Sequence, residues 1–318
     1  MKVIRRIHGY PQDPIRYFNF KRFEKVCGDF VLSESGFDGK TKWSEYNLTK
    51  EELDKLLKKK IVRLEFPEPT NFFTGDNPDR YDHQFYKIFT VCPYTANWLN
   101  KRQQNNKRIP TFFPFNEELI PKRYKKSYHI IYTGHIVAPT INQYINTISK
   151  FNYRFVSNSK HPLVTNHGAS YKEKLKLIAR SKITLVANLL YLRYDHLFFV
   201  WKTPGYEDNE AFKLIPKWYE VGKWLNKEIL VPQLKSRLFE AAFGRSLILC
   251  RKDPFNIVER FFEPEKEFVY FEKDKLEKTI RHILDNYKSY EKVVERAYNK
   301  AMNNYTTKKF AEKYLMKI

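Results

Sequence analysis

Short runs of apolar residues alternate with amphipathic segments along most of the chain. The clearest apolar runs, at residues 87–92, 129–133 and 182–187, predict buried strands of parallel sheets. Residues 49–59 and 171–180 have helical periodicity instead. Thr49 begins the first segment and Ser170 precedes the second, and each has Glu three positions later, the signature of a capping box. Strands and helices that alternate in this way predict an α/β fold with parallel sheets.

Residues 231–271 carry the densest set of chemical features. Leu234 and Leu238 predict one buried stripe of a short helix, which ends near Gly244 and is followed by a strand at residues 246–250. Four polar side chains lie near the start of this helix: Lys235, Ser236, Arg237 and Glu240. The amides at a helix start and the basic side chains favour phosphate, and a carboxylate one turn later can hold a ribose diol. The alternative is that Glu240 is an ordinary surface residue paired with Arg237.

The composition adds a large positive charge to this picture. The 318 residues suffice for two domains, and 42% hydrophobic residues suffice for packed cores. Lys and Arg number 58 against 36 Asp and Glu, which gives a net charge of +22 and suits an anionic partner such as a membrane surface, a phosphate-bearing acceptor or nucleic acid. The same excess of Lys is typical of proteins from AT-rich genomes, so a solvated surface explains it equally well.

Several classes of protein are disfavoured by what the sequence lacks. Cys27, Cys92 and Cys250 are far apart, which argues against a disulfide or a cysteine-based zinc site and suits a reducing compartment. No signal peptide or long apolar run is present, so we expect a cytoplasmic protein, either soluble or peripheral at the inner membrane face. The motifs of P-loop kinases, dehydrogenases, zincins and α/β-hydrolases are also missing.

Three stretches together resemble a known family. RLFEAAFGRSLIL at residues 237–249, FFEPEKEFVYF at residues 261–271 and a helical tail that contains Tyr-Thr resemble the C-terminal domain of group 1 glycosyltransferases. The nearest pattern is that of the spore maturation protein-like (CgeB-like) branch. The resemblance covers about residues 127–315 and is weak before that point.

The resemblance implies a GT-B fold, with two Rossmann-like domains that face a central cleft. Residues 1–125 would form the acceptor-side domain. Residues 126–318 would form the donor domain, with an aromatic insertion at 189–230 and closing C-terminal helices. The implied reaction moves a sugar from a nucleotide-diphosphate sugar, used as co-substrate, to a glycan or lipid-linked saccharide. No permanently bound cofactor is implied, and we expect no requirement for a metal.

The same resemblance, together with the positions of strand ends, assigns residues to the donor. Glu240 would hold the ribose, and the close approach of backbone to diphosphate would occur at Gly134. The full donor set is Gly134, His135, Asn188, Lys235, Ser236, Arg237 and Glu240, and the nucleotide base would lie near Gly168 and Tyr171. Two features depart from the family. Pro232 replaces a Glu near the donor sugar, and His135 lies where a basic residue usually follows the glycine, which shifts the phosphate contact toward Lys235 and Arg237.

Candidates for acid and base catalysis come from the first domain. His8 follows the first predicted strand, at the sheet edge where a cleft would lie, and imidazole titrates near neutral pH. Asp82 and His83 end a long polar loop at residues 68–83, and an adjacent carboxylate and imidazole can share proton handling. An ordinary surface loop is the alternative.

The aromatic insertion and the excess charge leave other functions open. The aromatic residues of the insertion suit an acceptor platform, a membrane-interface contact or a packed subdomain. The positive charge also suits a glycosyltransferase that acts on modified DNA bases, or a non-catalytic basic nucleic-acid-binding protein, although no nucleic-acid-binding motif is present.

Overall fold

A computed structural model describes residues 2–4, 20–23, 25–33, 49–66, 82–224 and 228–318. The chain divides into two compact units. Unit 1 contains Met1–Pro114, Leu189–Gln233 and Thr307–Ile318, and unit 2 contains Phe115–Asn188 and Leu234–Thr306.

Unit 1 is built on a five-stranded sheet in which every neighbouring pair is parallel. Its strands lie in chain order: β1 (Lys2–Ile4), β2 (Phe30–Ser33), β3 (Lys60–Glu65), β4 (Lys87–Thr90) and β5 (Arg108–Pro110). Helix α1 (Lys50–Leu57) precedes β3, and α2 (Pro93–Arg102) precedes β5. The predicted parallel α/β architecture is confirmed.

The start of α1 shows why local sequence sufficed for this helix. The Thr49 hydroxyl accepts a hydrogen bond from the Glu52 amide at 3.2 Å, and Glu52 Oε2 accepts one from the Thr49 amide at 2.8 Å. This reciprocal pair satisfies two amides that the helix leaves without partners. The predicted capping box is therefore confirmed.

Unit 2 contains a second five-stranded sheet that is also wholly parallel. Its strands are β6 (Tyr128–Thr133), β7 (Tyr153–Val156), β8 (Ser181–Val186), β11 (Leu247–Arg251) and β12 (Val269–Phe271). Across the sheet the order is β12-β11-β8-β6-β7, so the direction of winding reverses between β6 and β8. Ligands of doubly wound α/β domains bind at the carboxyl ends of the strands at such a switch point.

The helices of unit 2 pack beside this sheet. They are α3 (Pro139–Ile148), α4 (Tyr171–Ala179), α6 (Arg237–Phe243), α7 (Leu276–Asp285) and α8 (Tyr287–Asn304). Ser170 caps α4, since its hydroxyl accepts from the Glu173 amide at 3.2 Å as predicted. Helix α6 begins at Arg237, later than the apolar stripe from Leu234 predicted, so Lys235 and Ser236 lie in the turn that leads into it.

The aromatic insertion belongs to unit 1, whereas the sequence placed it in the predicted donor domain at residues 126–318. It contains an antiparallel pair, β9 (Leu189–Leu192) and β10 (Ile229–Pro232), and helix α5 (Tyr194–Trp201) between them. Leu197, Val200, Phe212 and Ile229 share one apolar cluster with Trp98 and Leu99 of α2. The insertion thus completes the core of the first unit, because α2 offers the apolar face on which it packs.

The last segment of the chain also packs in unit 1. Helix α9 (Thr307–Phe310) continues into a π-helical turn, Ala311–Leu315. The Phe310 ring lies 5.6 Å from Phe89 and 5.7 Å from Phe112, and Tyr314 lies 5.1 Å from Phe89. Among the described residues, no helix has both the length and the apolar character that crossing a bilayer requires.

Candidate functional site

Residues from four segments of unit 2 meet at the carboxyl edge of its sheet. Gly134 directly follows β6, and Asn188 follows β8 by two residues. The turn before α6 and the first residues of α4 complete the group. Since β6 and β8 are the neighbours at which the strand order reverses, the cluster lies at the switch point of the sheet.

Glu240 is the buried centre of this cluster. The residue is 1% exposed, and its Oε1 accepts hydrogen bonds from Lys174 Nζ at 2.8 Å, Tyr171 Oη at 3.2 Å and Ser236 Oγ at 3.2 Å. Its ion pair is with Lys174 of α4, so the alternative of a surface pair with Arg237 is wrong. Within the part of the chain that the structure describes, the buried Oε2 has no hydrogen-bond partner. That oxygen therefore retains unused capacity to accept a hydrogen bond.

Gly134 and Arg237 occupy one space beside Glu240. Gly134 has φ +134°, and a β-carbon on it would overlap the guanidinium of Arg237, with Cζ only 3.0 Å away. The same guanidinium lies over the Tyr132 ring, 5.1 Å from its centroid. Any larger residue here would have to displace the guanidinium, and the positive φ also favours glycine at this position.

Asn188 and Lys235 bring a second cation to the edge of the sheet. Asn188 is buried, and its Oδ1 accepts a hydrogen bond from the Lys235 amide at 2.8 Å, which holds the turn before α6 against the end of β8. Desolvation and the neighbouring Arg237 guanidinium lower the pKa of Lys235 to about 7. Two cations that repel each other in this way favour an anion between or beside them.

The loops after β6 and β7 contact each other next to this cluster. His135 Nδ1 lies 3.3 Å from Ser159 Oγ, and the hydroxyl of Tyr132 donates to the His135 carbonyl. Gly168 has φ +66°, and its amide donates to Asn158 Oδ1 at 3.1 Å. Tyr171 at the start of α4 contacts Glu240 directly, whereas Gly168 shapes the preceding loop and His135 remains exposed.

His8, Asp82 and His83 were the residues predicted for acid–base catalysis. His8 lies outside the described residues. Asp82 was predicted as a base, but both of its carboxylate oxygens are engaged: Arg108 donates to them at 2.7 and 3.0 Å, and Gln103 Nε2 donates to Oδ2 at 3.1 Å. The pair is buried, an arrangement typical of a structural ion pair, and the role of Asp82 as a base stays a prediction. His83 is exposed on the same 3-10 turn.

Two members of the cluster escaped the sequence prediction. Lys174 supplies the ion pair to Glu240, and Tyr132 supports the Arg237 guanidinium. The spacing of Tyr171 and Lys174 places them on neighbouring positions of one helix face, which is the only sequence signal that could have indicated Lys174. Tyr132 is indistinguishable from a core aromatic residue in the sequence. Among the described residues, no group of three or more His, Cys, Asp or Glu side chains could hold a metal ion.

The family models give one match to this chain. Residues 209–316 match a family described as glycosyl transferase-like. A search of curated proteins found no significant sequence match.

The fold is shared with several solved structures at low sequence identity. A Staphylococcus aureus TarM variant, solved with fondaparinux, α-GlcNAc-glycerol and UDP, is 11% identical with a TM-score of 0.53; the alignment covers 93% of this chain and 57% of TarM. The pneumococcal O-GlcNAc transferase GtfA, solved with UDP and GlcNAc, is 10% identical with a TM-score of 0.51, over 90% of this chain and 55% of GtfA. Anabaena HepE, solved with UDP and glucose, is 9% identical with a TM-score of 0.52, over 90% of this chain and 76% of HepE.

The chain therefore spans little more than half the length of TarM and GtfA. The two parallel sheets and these neighbours show that the protein has the GT-B fold of nucleotide-sugar glycosyltransferases.

Proposed function

We propose that this protein transfers a sugar from a nucleotide-diphosphate sugar to a glycan or lipid-linked saccharide. The observation that carries the proposal is the buried Oε2 of Glu240, which lacks a hydrogen-bond partner among the described residues while Oε1 has three. Leaving a buried acceptor unsatisfied costs about 1–3 kcal/mol. A ribose hydroxyl that reaches Oε2 when the shielding side chains move aside would recover this cost.

The diphosphate would lie against Arg237 and Lys235. Arginine offers two parallel donors to phosphate oxygens, and the Gly134 backbone leaves the space that its guanidinium needs. As the bond from the sugar to the diphosphate breaks, negative charge develops on the leaving group, and Arg237 together with protonated Lys235 stabilises it without a covalent intermediate. Both cations come from the turn and first residue of α6, so they replace the basic residue that is missing after Gly134.

The remaining assignments are extensions of this proposal. Gly168 and Tyr171 would border the nucleotide base, and His8 remains a predicted base for the acceptor hydroxyl. The three buried free cysteines suit a reducing compartment, which supports a cytoplasmic location. The motifs at residues 237–249 and 261–271 favour the spore maturation protein-like branch within group 1.

Nucleotide binding tests the proposal directly. Thermal unfolding would be followed with UDP, GDP, ADP, CMP and their sugars, beginning with UDP because the solved neighbours contain it. A nucleotide at about one hundred times its dissociation constant adds about 2.7 kcal/mol of stability. We expect a selective shift of the melting temperature with one nucleotide. When the corresponding nucleotide sugar is supplied together with an acceptor glycan, we expect the nucleotide to be released.

The matched variants are Glu240→Gln and Glu295→Gln. Glu240→Gln should lower the affinity for the selected nucleotide at least about tenfold, since a charge-assisted acceptor becomes a neutral amide. Glu295 lies in the same unit and pairs with Arg123 and Arg245 away from the cluster, so Glu295→Gln should leave the affinity unchanged. Equal nucleotide affinity in both variants, or no shift with any nucleotide in folded protein, would contradict the proposal.

A further inference from the structure

Among its described residues, the insertion in unit 1 presents four large aromatic side chains to solvent. Helix α5 buries Leu197 and Val200 and leaves Phe198 61% and Phe199 40% exposed on its other side. The 3-10 turn Trp218–Trp224 begins with Trp218, 68% exposed, and Tyr219, 61% exposed. Exposed aromatic side chains that lie together mark interaction sites in soluble proteins.

The two aromatic pairs are joined through Trp201. Its ring contacts Phe198 with centroids 5.9 Å apart, and its indole Nε1 donates to the Pro216 carbonyl at 2.8 Å. Pro216 lies two residues before Trp218, whose ring packs edge-on against Tyr219 at 5.6 Å. We refer to Phe198, Phe199, Trp218 and Tyr219 as the aromatic platform.

The platform rests on a packed base. Leu197, Val200, Phe212 and Ile215 form one apolar cluster with the residues of α2. A surface fixed in this way loses little conformational freedom when a ligand binds, so more of the contact energy appears as affinity.

The segment that contains the platform is balanced in charge, unlike the protein as a whole. Leu189–Gln233 contains six Lys or Arg and six Asp or Glu, so this segment contributes nothing to the net charge of +22. Within it, Arg193 is bound to Asp195 in an exposed ion pair. An anionic bilayer or a nucleic acid would therefore gain no net attraction from this segment, whereas an uncharged ligand is not disfavoured.

We propose that the aromatic platform binds an uncharged glycan chain. The ring faces carry negative electrostatic potential, and the C–H groups on one face of a pyranose ring are weakly positive, so sugars stack on Trp and Tyr. Thr203, whose hydroxyl donates to the Phe199 carbonyl, and Lys217, whose ammonium lies 5.8 Å from the Tyr219 ring centroid, can hydrogen-bond the sugar hydroxyls. As a statement about the acceptor, this inference rests on the proposed function, but glycan binding itself requires no donor.

Affinity electrophoresis tests the inference with the full-length protein. Migration would be measured in gels that contain neutral polysaccharides, such as a β-glucan, an α-glucan, a mannan or a xylan, and in a gel with none. We expect retardation by at least one of them. Trp218→Ala and Tyr219→Ala should each raise the dissociation constant at least about tenfold. Tyr86→Ala is the matched control, because Tyr86 is a 44% exposed aromatic residue of unit 1 outside the platform.

Circular dichroism and the affinity for the selected nucleotide check that the variants fold. Loss of glycan binding with nucleotide binding intact supports the platform, and it separates this inference from the donor site. Retardation by no neutral glycan, or equal retardation of the Trp218 and Tyr86 variants, overturns it. Two further outcomes would equally overturn it if no glycan binds. Cosedimentation with anionic vesicles that depends on Trp218 would assign the platform to a membrane. Self-association that depends on Trp218, measured by light scattering, would assign it to a second copy.

Discussion

The guanidinium of Arg237 fills the space that a β-carbon of residue 134 would occupy. Gly134 directly follows β6 and has φ +134°, a backbone conformation that other residues rarely adopt, and Arg237 begins α6. The two residues are 103 positions apart, so the glycine and the arginine are brought together only in the folded domain.

Gly134→Ala should therefore impair donor binding more than stability alone explains. The added methyl group must displace the guanidinium, and the positive φ adds a strain of about 1–3 kcal/mol. We expect at least about a tenfold loss of affinity for the selected nucleotide by calorimetry. Gly205→Ala is the control, because Gly205 has φ +69° but its β-carbon would meet nothing closer than 3.8 Å. Similar nucleotide affinity in both variants would argue against the role of Arg237.

Arg237 should matter for the diphosphate and not for the nucleoside. Arg237→Ala removes a bidentate phosphate donor, so affinity for the nucleoside diphosphate should fall about ten- to a hundredfold, corresponding to charge-assisted bonds of about 1.5–3 kcal/mol. Affinity for the nucleoside should change little. Arg237→Lys keeps the charge but loses the forked pair of donors, so its diphosphate affinity should lie between those of the unaltered protein and Arg237→Ala. Equal losses for nucleoside and diphosphate would place Arg237 outside the phosphate site.

Lys235 should make diphosphate binding depend on pH near neutrality. Its pKa is lowered to about 7 by desolvation and by Arg237, and only its protonated form is a cation. Affinity should therefore be greatest below pH 7 and should fall as the pH rises through that value. Lys235→Arg keeps the charge throughout this range, so calorimetry from pH 6 to 8.5 should give a flatter profile for the variant. Parallel profiles would show that another group titrates.

The pair formed by Asp82 and Arg108 should contribute to stability and not to catalysis. Asp82→Ala leaves a buried guanidinium without its carboxylate, and removing one partner of a buried ion pair costs about 3–5 kcal/mol. Asp29→Ala is the control, because the pair of Asp29 with Lys59 is exposed and should lower the melting temperature far less. A normal melting temperature with lost activity in Asp82→Ala would restore the catalytic assignment.

The elements that depend on neighbouring residues were predictable from the sequence. Thr49 and Ser170 cap their helices through hydrogen bonds that span three positions, and the fully apolar run around Ile183 forms a central strand. The cluster of Lys235, Arg237 and Glu240 was also predictable, because all three lie in one turn and the start of one helix. These features need no knowledge of distant contacts.

Contacts between distant segments were decided by the tertiary structure alone. Lys174 reaches Glu240 across 66 positions, and Asp82 is bound by an arginine that the sequence places within a run of basic residues. The aromatic insertion packs on α2, although its sequence position lies within the predicted donor domain. The sequence by itself determined the parallel α/β elements and the group of charged residues around α6, since periodicity and capping act over a few residues. The partner of each buried charge and the unit that receives the insertion depend on which surfaces the folded sheets bring together, and that information is not local to any part of the chain.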